Sequence, residues 1–338
     1  MRNLCSGPSI LPSVKNRIFN SALSAVLIAI AVAPRTHSQT AQTYAGSQLA
    51  IIDTDIGDDI DDAFAVALAL RSPELHLLGI TTAYGDTELR ARLLDRYLGA
   101  IGRADIPVAA GAATPQNNIF TQAAYAHHAP ERRHSDAVAF LLDQIRAHPG
   151  QVTLIAIGPL FNIQAAIERD PITFRQLRRV VIMGGSIYRG YGNDKSGSPR
   201  PPEPEWNIRC DPAGAQALLS AGVPVFVMPL DSTQIPLEIQ AQGAIFSHGS
   251  PLTDQLTLLY HQWTGASESR TPTLFDPVAV TYAIRPDLCP ATPMRLEVDD
   301  KGVTKPVQGA PNAQICLKSD ENGFMTLLLD RITSDDPR

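Results

Sequence analysis

Short apolar or β-branched runs alternate along the chain with longer helical patterns. Runs at 49–52, 75–81, 106–110, 152–157, 179–183 and 223–228 read as strands. Stretches at 63–71, 88–99, 135–147, 161–169 and 213–220 read as helices. Such alternation implies right-handed βαβ units and an open, mainly parallel α/β sheet flanked by helices, Rossmann-like. Residues 294–317 read as two or three short strands, a small β element at one edge. The Gly-, Pro- and Ser-rich stretch 188–204 reads as a long loop, because strand and helix patterns resume on both sides of it.

The first 40 residues do not fit this pattern. Arg2, Lys15 and Arg17 precede an apolar run at 22–33, and small polar residues follow. That is the layout of a secretory signal, with cleavage near Ser38 or Ala41. A membrane anchor is the alternative, but the apolar run is short of the ~20 residues that span a bilayer. The expectation is an exported protein, periplasmic or secreted, with a signal peptide at 1–40, one domain at 45–335 and no stable membrane span after cleavage. The chain carries a net charge of −6, and the signal holds basic residues but no acidic ones. The mature surface is therefore more acidic still, which argues against a nucleic-acid polymer as partner. Cys210, Cys289 and Cys316 remain after cleavage. A Cys289–Cys316 pair and three buried thiols are both open readings.

The polar groups fall at strand ends. Asp53 and Asp55 follow the first strand, Tyr84-Gly85-Asp86 the second, Gly158-Pro159 the fourth, Gly184-Gly185 the fifth and Asp231 the sixth. The carboxyl ends of strands are where open parallel sheets hold ligands. Between the first strand and the following apolar helix, residues 53–62 contain six aspartates. Crowded, partly buried carboxylates need a compensating cation, and oxygen-only ligands suit Ca²⁺ or Mg²⁺. A calcium-binding EF-hand loop fails in detail. Counted from Asp53, its sixth position is Asp58 where Gly is needed, and its twelfth is Phe64 where Glu is needed. A Mg²⁺-dependent phosphatase with Asp53 as nucleophile lacks a cluster of phosphate-binding groups. An acidic surface loop sits badly between two apolar runs.

The remaining reading is metal-assisted attack of water on a neutral substrate. Asp53-Thr54-Asp55-x-Gly, followed by Asp61-Asp62-Ala63, resembles the signature of the inosine-uridine preferring nucleoside hydrolases. Similar blocks continue in family order. They are Gly79–Asp86, Ile106–Gly111, Ile157-Gly158-Pro159-Leu160-x-Asn162, Val180–Gly185, Glu205-Trp206-Asn207 with Asp211-Pro212, and Phe275–Ala279. The resemblance implies a nucleoside hydrolase-like fold and a Ca²⁺-dependent N-glycosyl hydrolase. Such an enzyme splits a ribonucleoside into ribose and base for purine or pyrimidine salvage. A metal-dependent ribose- or nucleoside-binding protein without turnover is the non-catalytic alternative. Family members are often dimers or tetramers, so the resemblance extends to a homo-oligomer.

The resemblance also implies roles. Asp55, Asp62, Asp276 and the carbonyl of Ile157 match the Ca²⁺ ligands, and Asp55 also matches the base that activates the Ca²⁺-held water. Asp61, Asp86, Asn193, Glu205 and Asn207 match sugar-binding positions, and Met183 the residue under the ring. Asp53 supports the ligands from behind.

The sequence departs from the family in two places. Five residues, Ile56 to Ile60, separate Asp55 from Asp61 where the short form has three. Phe275 stands where purine-and-pyrimidine members carry a leaving-group His. Base-side candidates are therefore Phe275, Trp206, Tyr260 and Trp263 as stacking surfaces, and His127, His128 or His134 as proton donors.

Overall fold

The computed structural model describes residues 46–334, so the expected signal lies outside the described residues. One ten-stranded sheet organises the chain. Its strands are β1 (Gln48–Thr54), β2 (Leu75–Thr82), β3 (Val108–Ala110), β4 (Ser135–Asp136), β5 (Thr153–Ala156), β6 (Arg179–Met183), β7 (Val225–Met228), β8 (Ala291–Val298), β9 (Thr304–Val307) and β10 (Ala313–Cys316). The order is β4-β3-β2-β1-β5-β6-β7-β10-β8-β9. All pairings from β4 to β10 are parallel, and β8 and β9 add an antiparallel edge.

The sequence explains the burial. From Ala50 to Thr54, β1 is buried on both faces, as a central parallel strand covered on both sides must be. The Asp61–Leu70 helix that follows is buried at all ten positions. After Asp61 and Asp62 its residues are apolar all round, which is the pattern of a helix with no solvent face. It packs with the Asp276–Ile284 and Glu321–Ile332 helices on one face of the sheet. The Ala137–Ala147, Phe161–Arg169 and Pro212–Ser220 helices cover the other.

The edge element forms at 291–316, with β10 inserted between β7 and the β8–β9 hairpin. Cys289 and Cys316 form a disulfide with Cα atoms 5.5 Å apart, and Cys210 is a free thiol. The 188–204 stretch is a loop apart from one bridge between Asn193 and Pro199. Among the described residues, no helix is long and apolar enough to cross a membrane.

The chain reverses its direction of sheet growth at β1. It builds β2, β3 and β4 on one side, then places β5, β6 and β7 on the other. The carboxyl ends of β1 and β5 therefore flank a crevice, the place where an open α/β sheet leaves room for a ligand.

Candidate active site

The loop after β1 carries the aspartates into that crevice. Two glycines permit its path. Gly57 has φ 123°, and a Cβ there would lie 2.0 Å from the Phe120 ring. A Cβ on Gly158, just after β5, would meet the Asp55 amide nitrogen at 2.8 Å. The loop is held from beneath by Arg90, which is fully buried. Its Nε donates to the Tyr84 carbonyl over 2.7 Å and Nη1 to the Ile56 carbonyl over 3.0 Å. Nη1 also donates to the Asp55 carbonyl. Its Nη2 reaches the Asp58 carboxylate at 2.7 Å. Tyr84, whose carbonyl Arg90 holds, sits at φ 64°, a left-handed conformation that non-glycine residues seldom adopt.

The site is crowded with carboxylates. Asp53 accepts from Asn162 Nδ2 over 2.7 Å and from the Thr81 hydroxyl, while its Oδ2 is buried without a partner. Burial outweighs these bonds and lifts its pKa to about 6. Asp62 accepts from the Thr54 hydroxyl, and Asp61 Oδ2 accepts the Asp276 backbone N–H over 3.1 Å. Carboxylate oxygens of Asp61, Asp62 and Asp276 lie within 4.8 Å of one another, all three residues buried. Burial first, and repulsion from neighbouring carboxylates second, hold all three well above the usual carboxylate range; the foremost such neighbour is Asp59 for Asp61, Asp55 for Asp62 and Asp61 for Asp276. Asp55 is lifted to about 7, chiefly by burial; Arg90 pulls it down and Asp58 pushes it up. Such a cluster lacks only positive charge, and its all-oxygen donor set suits a hard divalent cation.

These groups line a cavity of about 440 Å³. Asp55, Asp61, Asp62, Ile157, Met183, Glu205, Asn207 and Asp276 line it, as do Trp206, Trp263 and Phe275. Asn207 Nδ2 bridges the carbonyls of Ile157 and Met183 at 3.2 and 3.1 Å, tying the ends of β5 and β6 together. Glu205 caps the Trp206–Cys210 helix and accepts the Gly185 N–H over 3.0 Å. Phe275 packs edge-on to Tyr191.

Asp61, Asp62 and Asp276 form the tightest carboxylate group, and Asp55 lines the same cavity beside them. The cause is local. Asp61 and Asp62 open one helix, Asp276 opens another, and the two helix starts meet through the Asp276 amide.

Other candidates lie elsewhere. Asp86 is exposed and caps the Thr87–Ala100 helix by accepting the Leu89 N–H. Asn193 is exposed in the 188–204 loop. Tyr260 bonds outside the cavity to the Arg270 carbonyl at 2.8 Å and stacks near Phe246. His127 and His128 are exposed and do not line the cavity. His134 is fixed between Glu88 and Asp95 at 2.7 and 3.0 Å. Asp231 accepts the Ile187 and Tyr188 amides, a structural turn.

Sequence reasoning missed Arg90 and the strap it helps hold. Gln116 Nε2 and Asn118 Nδ2 donate to Asp58 at 3.2 and 2.6 Å, drawing the 114–121 segment over the cavity. The available signal was a lone arginine within the first turn and a half of a helix following Tyr84-Gly85-Asp86.

Comparison with known proteins adds an independent line. The family model for inosine-uridine preferring nucleoside hydrolase matches residues 50–326. The chain is 31% identical over 323 residues to the pyrimidine-specific ribonucleoside hydrolase RihA of Citrobacter koseri, covering 83% of this chain and 97% of that protein. It is 30% identical over 273 residues to uridine nucleosidase 1 of Arabidopsis thaliana, covering 75% and 79%. Among solved structures, the plant nucleoside hydrolase PpNRh1 superposes with a TM-score of 0.74 at 27% identity, over 85% of this chain and 99% of that one. The purine-preferring ribonucleoside hydrolase from Gardnerella vaginalis shares the fold, with a TM-score of 0.70 at 24% identity over 85% and 98%.

Proposed function

The chain belongs to the inosine-uridine preferring nucleoside hydrolase family and is an N-glycosyl hydrolase, and we propose that it cleaves ribonucleosides to ribose and free base with the help of Ca²⁺. The observation that carries this reading is the buried triad of Asp61, Asp62 and Asp276 beside Asp55 at the sheet's switch point. The residues fit a hard cation, since three carboxylates meet with no lysine, arginine or histidine lining the cavity among the described residues. Asp62 and Asp276 would hold it, with Asp61, Asp55 and the Ile157 carbonyl as neighbouring oxygen donors. When bound, it neutralises the cluster and polarises a water molecule.

Asp55 takes the proton from the attacking water. A pKa near 7 suits a base working near neutrality. Asn207, Glu205 and Met183 form the sugar side of the cavity, where amide and carboxylate groups can bind hydroxyls and the thioether packs under the ring. The surrounding carboxylates favour the oxocarbenium-like charge that develops on the sugar as the bond breaks.

The chain's N-terminal pattern supports export of a single catalytic domain. The Cys289–Cys316 disulfide is consistent with an oxidising compartment. The deciding experiment is ribose release from a panel of nucleosides, with Ca²⁺ and with excess chelator. Chelator-sensitive release is expected. Ca²⁺ binding without release from any nucleoside would leave a binding protein and overturn the reading.

A further inference from the structure

The 188–204 loop brings one tyrosine to the cavity. Asn193, expected on the sugar, is exposed, whereas Tyr191, two residues earlier, lines the cavity. The backbone around it is fixed. The Tyr191 N–H donates to Glu203 Oε1 over 3.0 Å, and the Gly192 N–H donates to Gln234 Oε1 over 2.6 Å. The tyrosine ring meets Phe275 edge-on, with centroids 6.0 Å apart. Its hydroxyl reaches the sugar side. There the phenolic oxygen accepts the Trp206 N–H over 2.9 Å, and the O–H donates to Glu205 Oε1 over 3.5 Å.

Lone pairs decide which of these groups remains open. A carboxylate has about four acceptor sites. Those of Glu205 are taken by donors of the chain itself. Oε1 accepts the Asn207 N–H over 2.9 Å and the Tyr191 hydroxyl, and Oε2 accepts the Gly185 and Ile208 N–H groups over 3.0 and 3.1 Å. The Asn207 side-chain amide donates to the Ile157 and Met183 carbonyls, which uses both of its hydrogens. The Tyr191 oxygen keeps one lone pair, and Asn207 Oδ1 accepts no hydrogen bond from the described residues. The open groups of this wall are therefore acceptors, and what they can read is a hydroxyl that donates.

Resting on the hydrolase reading above, we infer that Tyr191 is a sugar-specificity residue whose phenolic oxygen accepts a hydrogen bond from the primary hydroxyl of the ribose, with Glu205 positioning the phenol. The vicinal hydroxyls are the oxygen pair that suits a hard cation at the carboxylate triad, which leaves the 5′-hydroxyl for this wall. The substrate class is a nucleoside with a free 5′-hydroxyl. A 5′-deoxy sugar brings no partner to the tyrosine, and a 5′-fluoro sugar brings an acceptor with no hydrogen to give.

The test uses the full chain with Ca²⁺ and steady-state kinetics on uridine and inosine, each beside its 5′-deoxy and 5′-deoxy-5′-fluoro analogues. In the parent, kcat/KM should fall about tenfold for both analogues, the worth of one hydrogen bond. This comparison needs no variant. A fluoro analogue as good as the parent nucleoside would mean that the wall donates, and would overturn the inference; so would a 5′-deoxy analogue cleaved as well as the nucleoside. Tyr191→Phe keeps the ring against Phe275 and deletes the oxygen. It should lose about tenfold on uridine and inosine and less than about twofold on the 5′-deoxy analogues. An equal loss on both would make Tyr191 a brace for the loop and overturn its role. If no nucleoside is cleaved, the hydrolase reading falls, and calorimetric titration of the Ca²⁺-loaded protein with the same compounds decides the inference. Binding of the 5′-deoxy analogue about tenfold weaker than the nucleoside in the parent, and equal in Tyr191→Phe, would sustain it. Equal affinities in the parent would overturn it.

Discussion

Arg90 Nη2 and Asp58 Oδ2 form an ion pair of 2.7 Å in which the arginine side chain is 0% exposed and the aspartate 8%. The same guanidinium binds three backbone carbonyls of the site loops, so one side chain fixes the path on which the metal-facing aspartates depend. Removing it would leave Asp58 buried without its counter-charge and would free those carbonyls. Arg90→Met is expected to cost on the order of 3–5 kcal/mol. Arg90→Lys should recover little, because an ammonium cannot reproduce the fork. Thermal unfolding checks both, and a lysine variant as stable as the parent would remove Arg90 from this role.

Asp55→Asn keeps size and shape at the end of β1 but removes the carboxylate proposed as the base. Turnover should fall by roughly 10²–10⁴-fold. Far-ultraviolet circular dichroism should be unchanged. A variant retaining most of its ribose release would assign the base elsewhere.

The carboxylate triad should be the origin of cation stabilisation. Ca²⁺ at about 100 times its Kd should add roughly 2.7 kcal/mol to the stability of the parent. Asp62→Ala and Asp276→Ala should each lose most of that increment while remaining folded, because removing one of several crowded negative charges relieves repulsion in the metal-free protein. Calorimetric titration with Ca²⁺ provides the second readout. Undiminished affinity in both variants would place the cation elsewhere.

The metal-free protein should also show a diagnostic pH dependence. Asp53 and Asp55 have folded pKa values raised from 3.8 to about 6 and about 7, mainly by burial. The folded state therefore binds protons more tightly than the unfolded chain. The resulting stability is fully present below pH ~4 and is lost as pH rises through 6 to 7. In chelator, the melting temperature should fall between pH 5 and pH 8, and Ca²⁺ should reverse most of the fall. A melting temperature that rose over this range in chelator would contradict the burial argument.

Phe275→His places an imidazole on the cavity wall next to Asp276. It should raise kcat for neutral nucleosides with poor leaving bases, with little effect where the base needs no proton. Comparing uridine with an activated p-nitrophenyl riboside would show the difference. Equal effects on both would mean that the substitution acts on the sugar side.

Much of the fold was legible because β1 and its neighbours are uniform apolar runs at parallel-strand spacing. The Arg179–Met183 strand and the Phe161–Arg169 helix match their sequence patterns residue for residue. The Ile239–Phe246, Pro251–Ala266, Asp276–Ile284 and Glu321–Ile332 helices were not read. The second begins with a Ser250-Pro251-x-Thr253 capping box, a local signal that strand–helix alternation does not use. At the site, the aspartate-rich loop was conspicuous. The closeness of Asp61 to Asp276 was not, because it joins residues 215 positions apart through the meeting of two helix starts. Asp86 matched a motif and also caps a helix. Local backbone demand and ligand binding favour the same residue types at these positions.

The strand order also has a consequence in time. β10 pairs with β7 on one side and β8 on the other, so the β8–β9 hairpin reaches the sheet only through a strand made after it. A chain emerging from its N-terminus can pair β1 to β7 as they appear. It cannot attach that edge until residue 316 is free, and until then the flank of β7 stays an open template. This last strand determines when the sheet is sealed, and a stall near the C-terminus would leave a nearly complete molecule with a sticky edge.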